Sequence, residues 1–495
     1  MAQASSVDRI QVLTRQLAAC PAAAGGLAEM EVGADGSVRP PKARYWHVKD
    51  AAGVRACLGA ESAASLSSVL PRLRMVPEED LKMLKGTPFY GFATGMRAWA
   101  VNSDGAAHRS LRDAMPKHFM SFAVVEAEHA AAADAYIDEL LARVLAREGD
   151  GRAGGAAVPL RRLEVMEDVA KPLSAFMLAR ALGVAAPSEQ AMEQTMRSFR
   201  RWAETIVQTD DVELEKVMAM AEAHAEGIAY FEEAIRSVRD AAKAGEDDDG
   251  ADDDAKADAA FAAACGFTRD GIVALMVAGG RVPDDFVLAN QFLMWVIGGF
   301  HNPANLGALA LGVVLEHGEQ LEELRRRAKA APPGDGKGGG KGGGAAHVDR
   351  LLHCAVSEVM RTVSPADVVV RVVTAPLALP PATPGGPPRQ AMPGDNVIMH
   401  LQAANHAMCP AATRPFNDFD LFRPLEFTGQ HLGFGFGPHR CLGGMFGHMQ
   451  AERLLKRLLL GEGGGGAFGR LALEEPFAFV VVGSFKEIPA MHVTF

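Results

Sequence analysis

The longest apolar stretch of the chain runs from Asp285 to His317 (DFVLANQFLMWVIGGFHNPANLGALALGVVLEH), with apolar residues on every face of the helix it predicts. A surface helix carries one apolar stripe, whereas a helix apolar all round belongs in an interior. This segment is therefore expected to cross the core. Helical periodicity also dominates from Val125 to Ala242 and over Gly444 to Leu460, and a further helix ends near Ser364, where Pro365 closes it. Strand-like runs are few and short: Tyr45–Lys49, leading into a helix over Ala51–Leu58, and Val368–Arg371. Gly86 to Ser103 mixes glycine with Phe89, Tyr90, Phe92 and Trp99 and reads as a loop over a pocket.

Two low-complexity segments interrupt this pattern. Residues 244–260 are acidic and cannot bury a core, so they are expected to form a solvated loop; docking a partner is the other reading. Residues 330–346 are a glycine-rich linker between helices. At 48% hydrophobic and 22% charged residues the composition is that of a globular protein. A net charge of −11 argues against nonspecific nucleic-acid binding, which needs a basic face. The six cysteines show no disulfide or metal spacing, so a reducing, cytoplasmic location is expected. Met1 to Ala24 is too short and too charged to span a bilayer and reads as an amphipathic helix; a transit peptide is the alternative. No membrane anchor is expected.

The candidate chemistry lies in Phe434-Gly435-Phe436-Gly437-Pro438-His439-Arg440-Cys441-Leu442-Gly443. A cysteine beside cationic side chains, among glycines that leave backbone N–H groups free, is poised to be a thiolate. Gly435, Gly437 and Gly443 would let that sulfur approach a flat macrocycle. A lone cysteine is more often a small buried hydrophobe; the whole run, with a second signature upstream, decides against that. The second signature is Glu358-Val359-Met360-Arg361, where Glu358 and Arg361 share a helix face and can form a fork-shaped pair.

These two motifs resemble the haem-binding loop, F-G-x-G-x-H-x-C-x-G, and the E-x-x-R helix of the cytochrome P-450 family, in its soluble bacterial-type branch. The resemblance covers roughly residues 41 to 495 and implies a mainly α fold with a small β region, one haem-enclosing domain after an N-terminal extension of residues 1–40. It implies heme b with Cys441 as the axial iron ligand, a ligation that favours O–O cleavage. Glu358 and Arg361 would lock the haem loop structurally. Haem propionates need cations where they emerge from an apolar pocket. His108 and Arg112, four apart on one helix face, together with Arg371 and His439, match the family's propionate-binding positions. The alternative for His108 and Arg112 is a solvated helix face.

Gly298-Gly299-Phe300-His301-Asn302-Pro303-Ala304-Asn305 resembles the family's oxygen-binding segment, commonly A-G-x-[D/E]-T-T-A-N. Gly298 and Gly299 suit a helix passing close over a haem face, and Pro303 removes the N–H that would bond the Gly299 carbonyl. The acid–alcohol pair that helps deliver protons for O–O cleavage is replaced by His301 and Asn302. An imidazole can relay protons near neutral pH, an amide can only exchange hydrogen bonds; His301 is either such a relay or an interior histidine facing another helix. A second departure is Asp418, where the family often has an arginine contacting the E-x-x-R pair. Arg440, Arg453, Lys456 and Arg457 form either a basic patch for an acidic electron donor or a solvated face.

The resemblance thus implies a haem-thiolate monooxygenase acting on a small organic molecule, with electrons from a ferredoxin or flavodoxin-type donor and its reductase. A peroxide-using or isomerase/dehydratase-type enzyme and a non-catalytic haem-thiolate protein are the alternatives that the His301-Asn302 change keeps open. Pocket walls are expected from Gly86–Trp99, Ser198–Thr209 and Val368–Val370.

Overall fold

A computed structural model describes residues 44–495 apart from 60–65, 68–81, 83, 148–160, 207–213, 247–253, 331–343, 382–385, 388, 409–418, 426–428, 462–470 and 483–484. The N-terminal amphipathic segment, most of the glycine-rich linker and Asp418 lie outside the described residues.

Helices dominate. In chain order they are α1 (Ala51–Leu58), α2 (Pro88–Ala98), α3 (Gly105–Ala114), α4 (Phe122–Arg147), α5 (Lys171–Leu182), α6 (Glu189–Ile206) and α7 (Leu214–Glu246). There follow α8 (Asp254–Cys265), α9 (Ile272–Gly279), α10 (Asp285–Glu316), α11 (Gly318–Ala330), α12 (Gly344–Val363), α13 (Leu401–Ala407) and α14 (Gly444–Leu460). The interior helix expected from Asp285 is α10, capped by the Asp284 carboxylate, which accepts from the Val287 N–H at 3.0 Å. Its neighbours are α5, α6, α7 and α14, and apolar burial against all four accounts for the lack of a polar face.

The β region is small. Among the described residues β1 (Tyr45–Val48), β7 (Asn396–His400), β4 (Val368–Val373) and β2 (Leu66–Ser67) form one sheet in the order β1-β7-β4-β2. β1 runs parallel to β7, while β4 pairs antiparallel with β7 in a register that sets Arg371 opposite Val397.

Two segments differ from expectation. Gly86 to Ser103 contains α2, not a continuous loop. Thr87 accepts from the Tyr90 N–H at 3.3 Å and Pro88 occupies the first turn, a capped helix start that outweighs the glycines. Phe89 and Phe92 anchor that helix in the core. The acidic segment is helical at both margins: α7 continues to Glu246 and α8 begins at Asp254.

Candidate functional site

The cysteine loop is shaped by its glycines. Gly435 and Gly437 have φ of 71° and 70°, in the left-handed region where side chains are strained. At Gly437 a Cβ would also lie 2.2 Å from the Leu58 carbonyl oxygen of α1. The Cys441 N–H donates to the Phe434 carbonyl at 2.9 Å and closes the loop. Of the three glycines expected to make room for a macrocycle, Gly443 has nothing within 4 Å of a Cβ position and Gly435 nothing closer than 3.9 Å. Gly437 instead lets the loop pass close to α1.

Cys441 is exposed, although protein surrounds it closely enough that burial pushes its thiol pKa up. The Gly443 N–H, Arg112 and Arg440 pull the other way without overcoming burial. The expected poised thiolate is thus corrected: the protein alone keeps a thiol at 441, and a coordinated metal ion would have to displace its proton.

Helix α10 supplies the other wall. Pro303 packs 3.6 Å from a Cβ position at Gly447, near the start of α14. Upstream of that contact the two elements part, and Gly298 on α10 is exposed with nothing within 4 Å of its Cβ position. Asn302, one turn on, shares this open side and donates from Nδ2 to the Gly298 carbonyl at 3.3 Å. Gly299 points elsewhere: a Cβ there would meet Leu178 of α5 at 2.6 Å, so its role is close helix packing. His301 lies on the seam with α6. Burial, first of all, lowers its pKa, while Glu487 and Glu204 raise it. Its buried Nε2 has no hydrogen-bond partner.

At one edge of this space four cationic or titratable side chains converge. His108 of α3 stacks on His439 of the cysteine loop with ring centroids 3.8 Å apart. Arg112 donates to the Arg440 carbonyl at 2.9 Å, tying α3 to the loop. Arg371 of β4 lowers the pKa of both histidines. Burial lowers Arg371 itself to about 10, and burial also takes His439 down to about 3. Among the described residues no carboxylate forms an ion pair with Arg112 or Arg371, and Asp104 is the only acid that raises Arg371. Two partly buried guanidiniums with no carboxylate partner among the described residues fit a dianionic group entering from the open side. The residues present therefore fit a haem: His108, Arg112, Arg371 and His439 would hold its propionates and Cys441 its iron.

Behind the loop, Glu358 and Arg361 are fully buried, and Arg361 donates from Nε and Nη2 to the two carboxylate oxygens at 2.8 Å each. Arg423 donates from Nε to Glu358 Oε1 at 3.0 Å. The arginine that seemed missing at Asp418 is thus supplied five residues later. The expected basic patch is also corrected. Arg453, Lys456 and Arg457 are mostly buried and neutralised by Glu126, Asp349, Asp138 and Asp134. Arg440 alone of that set is exposed.

Comparison with known proteins gives one family. Residues 350–460 match the family model for Cytochrome P450. The chain is 24% identical over 305 residues to "Biotin biosynthesis cytochrome P450" of Bacillus subtilis, covering 60% of each. It is 29% identical over 174 residues to "Mycinamicin VIII C21 methyl hydroxylase" of Micromonospora griseorubida, covering 34% of this chain and 36% of that one. The match thus spans 60% or less of the length of these curated relatives. In three dimensions it resembles P450BioI in complex with hexadec-9Z-enoic acid ligated acyl carrier protein, at a TM-score of 0.62 and 20% identity over 92% of this chain and 93% of that one. It resembles CalO2 at a TM-score of 0.64 and 20% identity over 91% and 90%. No helix among the described residues is long and apolar enough to cross a membrane.

Proposed function

We propose, from the premise that this chain belongs to the cytochrome P450 family, that it is a haem-thiolate monooxygenase inserting one oxygen atom from O2 into a small organic molecule. What supports this reading is the set of an accessible Cys441 sulfur, an unobstructed Gly298 on α10, and the cations Arg112 and Arg371, which no carboxylate among the described residues pairs. The bound haem supplies the redox chemistry, with a cysteine sulfur as the ligand that favours O–O cleavage. The other oxygen atom leaves as water, which consumes two electrons and two protons.

The chain's own residues handle position and protons. His108, Arg112, Arg371 and His439 would hold the propionates, and the loop closed from Phe434 to Cys441 would present the sulfur. Gly298 would leave room for the macrocycle, and Asn302, braced on the Gly298 carbonyl, would offer an amide on the same side of α10. His301 receives protons from the α6 side, where Glu204 pairs with Arg200 at 3.0 Å and Lys171 at 3.6 Å, both partly exposed. Its depressed pKa keeps the imidazole neutral near pH 7, able to take a proton and pass it on. Electrons come from a ferredoxin or flavodoxin-type donor and its reductase; exposed Arg440 and Arg109, on either side of the Arg112 hydrogen bond, suit an acidic donor.

Two tests apply. The reduced protein treated with carbon monoxide shows the long-wavelength Soret band of thiolate ligation, and Cys441→Ser abolishes it while the far-UV spectrum stays unchanged. Reconstitution with NADPH, ferredoxin and reductase yields substrate-dependent oxygen insertion traceable to labelled O2. The second reading, a peroxide-driven enzyme, is favoured by Asn302, which has no hydroxyl; turnover with hydrogen peroxide alone and none with the electron-transfer partners would establish it instead.

A further inference from the structure

The geometry points to a divalent transition-metal site, of the kind zinc occupies, built from His353, His448 and Glu452 on the seam between α12 and α14. His448 and Glu452 lie one turn apart on α14, and His353 faces them from α12. His353 Nδ1 lies 2.6 Å and His448 Nδ1 2.5 Å from the same Glu452 carboxylate oxygen. All three potential ligand atoms lie within 4.8 Å of one another. In a tetrahedral zinc site with bonds near 2.0 Å, ligand atoms stand about 3.3 Å apart, so modest side-chain rotation brings these into place. Two imidazoles and one carboxylate leave a fourth position for water.

The surroundings are those of a built site. Ser357, one turn along α12 from His353, sits 3.1 Å from His448 Nε2 and can accept its proton, turning the Nδ1 lone pair toward the metal. Phe122 packs edge-on against both imidazoles, with centroids 4.6 and 6.0 Å away, and excludes water. Side-chain exposure is 2% for His448 and 4% for Glu452 but 25% for His353, which gives an entry path from solvent. The site would clamp the helix carrying Glu358 to the helix that follows Cys441, behind the haem loop and independently of substrate.

The test uses the tag-free holoprotein, stripped with chelator and titrated with Zn2+ against a chromophoric competitor. About one Zn2+ per chain binds, with affinity weakened at least tenfold in His353→Gln and about tenfold in Ser357→Ala. Zinc raises the thermal midpoint of the wild type and not of His353→Gln. Absorption at the zinc edge, which haem iron does not obscure, shows nitrogen and oxygen neighbours only. An unaltered visible haem spectrum in His353→Gln, a position only partly buried, shows that the variant folds. Absence of uptake by the wild type, equal uptake by His353→Gln, or sulfur in the zinc shell would each overturn the assignment.

Discussion

Removing the Glu358 carboxylate is the perturbation whose cost the structure ranks most sharply. Glu358 accepts from Arg361 at 2.8 and 2.8 Å, from Arg423 at 3.0 Å and from the Asp420 N–H at 3.2 Å, at zero exposure. Glu358→Gln removes the buried carboxylate that takes the Arg361 fork at zero exposure, at a cost of about 3–5 kcal/mol. Arg361→Met is milder, because Glu358 keeps Arg423 and the Asp420 amide; the lost fork is worth about 2–3 kcal/mol. Arg423→Met is mildest, about 1 kcal/mol, since Arg423 retains 19% exposure and its contact to Glu358 is a single one, not a fork. The double variant Glu358→Met/Arg361→Met removes both charges and costs less than Glu358→Gln alone. Urea denaturation followed by far-UV circular dichroism orders the four proteins. A Glu358→Gln loss below about 1 kcal/mol, or a double variant as damaged as the sum of its singles, refutes the argument that the buried Glu358–Arg361 charge pair dominates.

Three further outcomes follow from single positions. Gly437→Ala forces a side chain into left-handed backbone at about 1–2 kcal/mol and drives its Cβ into the Leu58 carbonyl, so haem incorporation falls sharply on expression; normal incorporation would contradict the loop geometry. Arg371→Met has opposite signs in two assays: haem passes to apomyoglobin at least tenfold faster, while the haem-free chain is no less stable, because burying that unpaired cation costs on the order of 2–3 kcal/mol. His224, buried and 2.9 Å from Asn290 Oδ1, has its pKa lowered to about 4, mainly by burial. The unfolded chain therefore binds a proton below about pH 6.5 that the folded chain refuses until about pH 4, and stability falls by about 3 kcal/mol across that window as pH drops. His224→Gln shows a shallower acid slope in the same titration; an identical slope would show that His224 protonates freely.

What could be read from the chain was local or nearly so. The apolar circumference of α10 required an interior helix, and the spacing of Glu358 and Arg361 set them on one face. The run around Cys441 carried enough glycine and charge to mark the loop. The capping pair Thr87-Pro88 was equally local and was outweighed in the reading by glycines and aromatics. Other features depended on which elements meet. Arg423 reaches Glu358 because the segment from Asp420 to Arg423 folds back over α12. Arg453, Lys456 and Arg457 look like a patch along the sequence but meet acids from α4 and α12 in space. Gly299 is explained by Leu178 and Gly437 by Leu58, each far away in the chain. His353 joins His448 and Glu452 only where α12 packs on α14. Hydrogen-bond spacing and apolar period are properties of neighbouring residues, so the sequence determines them directly. Desolvation and charge pairing are sums over everything packed nearby, and only the assembled fold decides them.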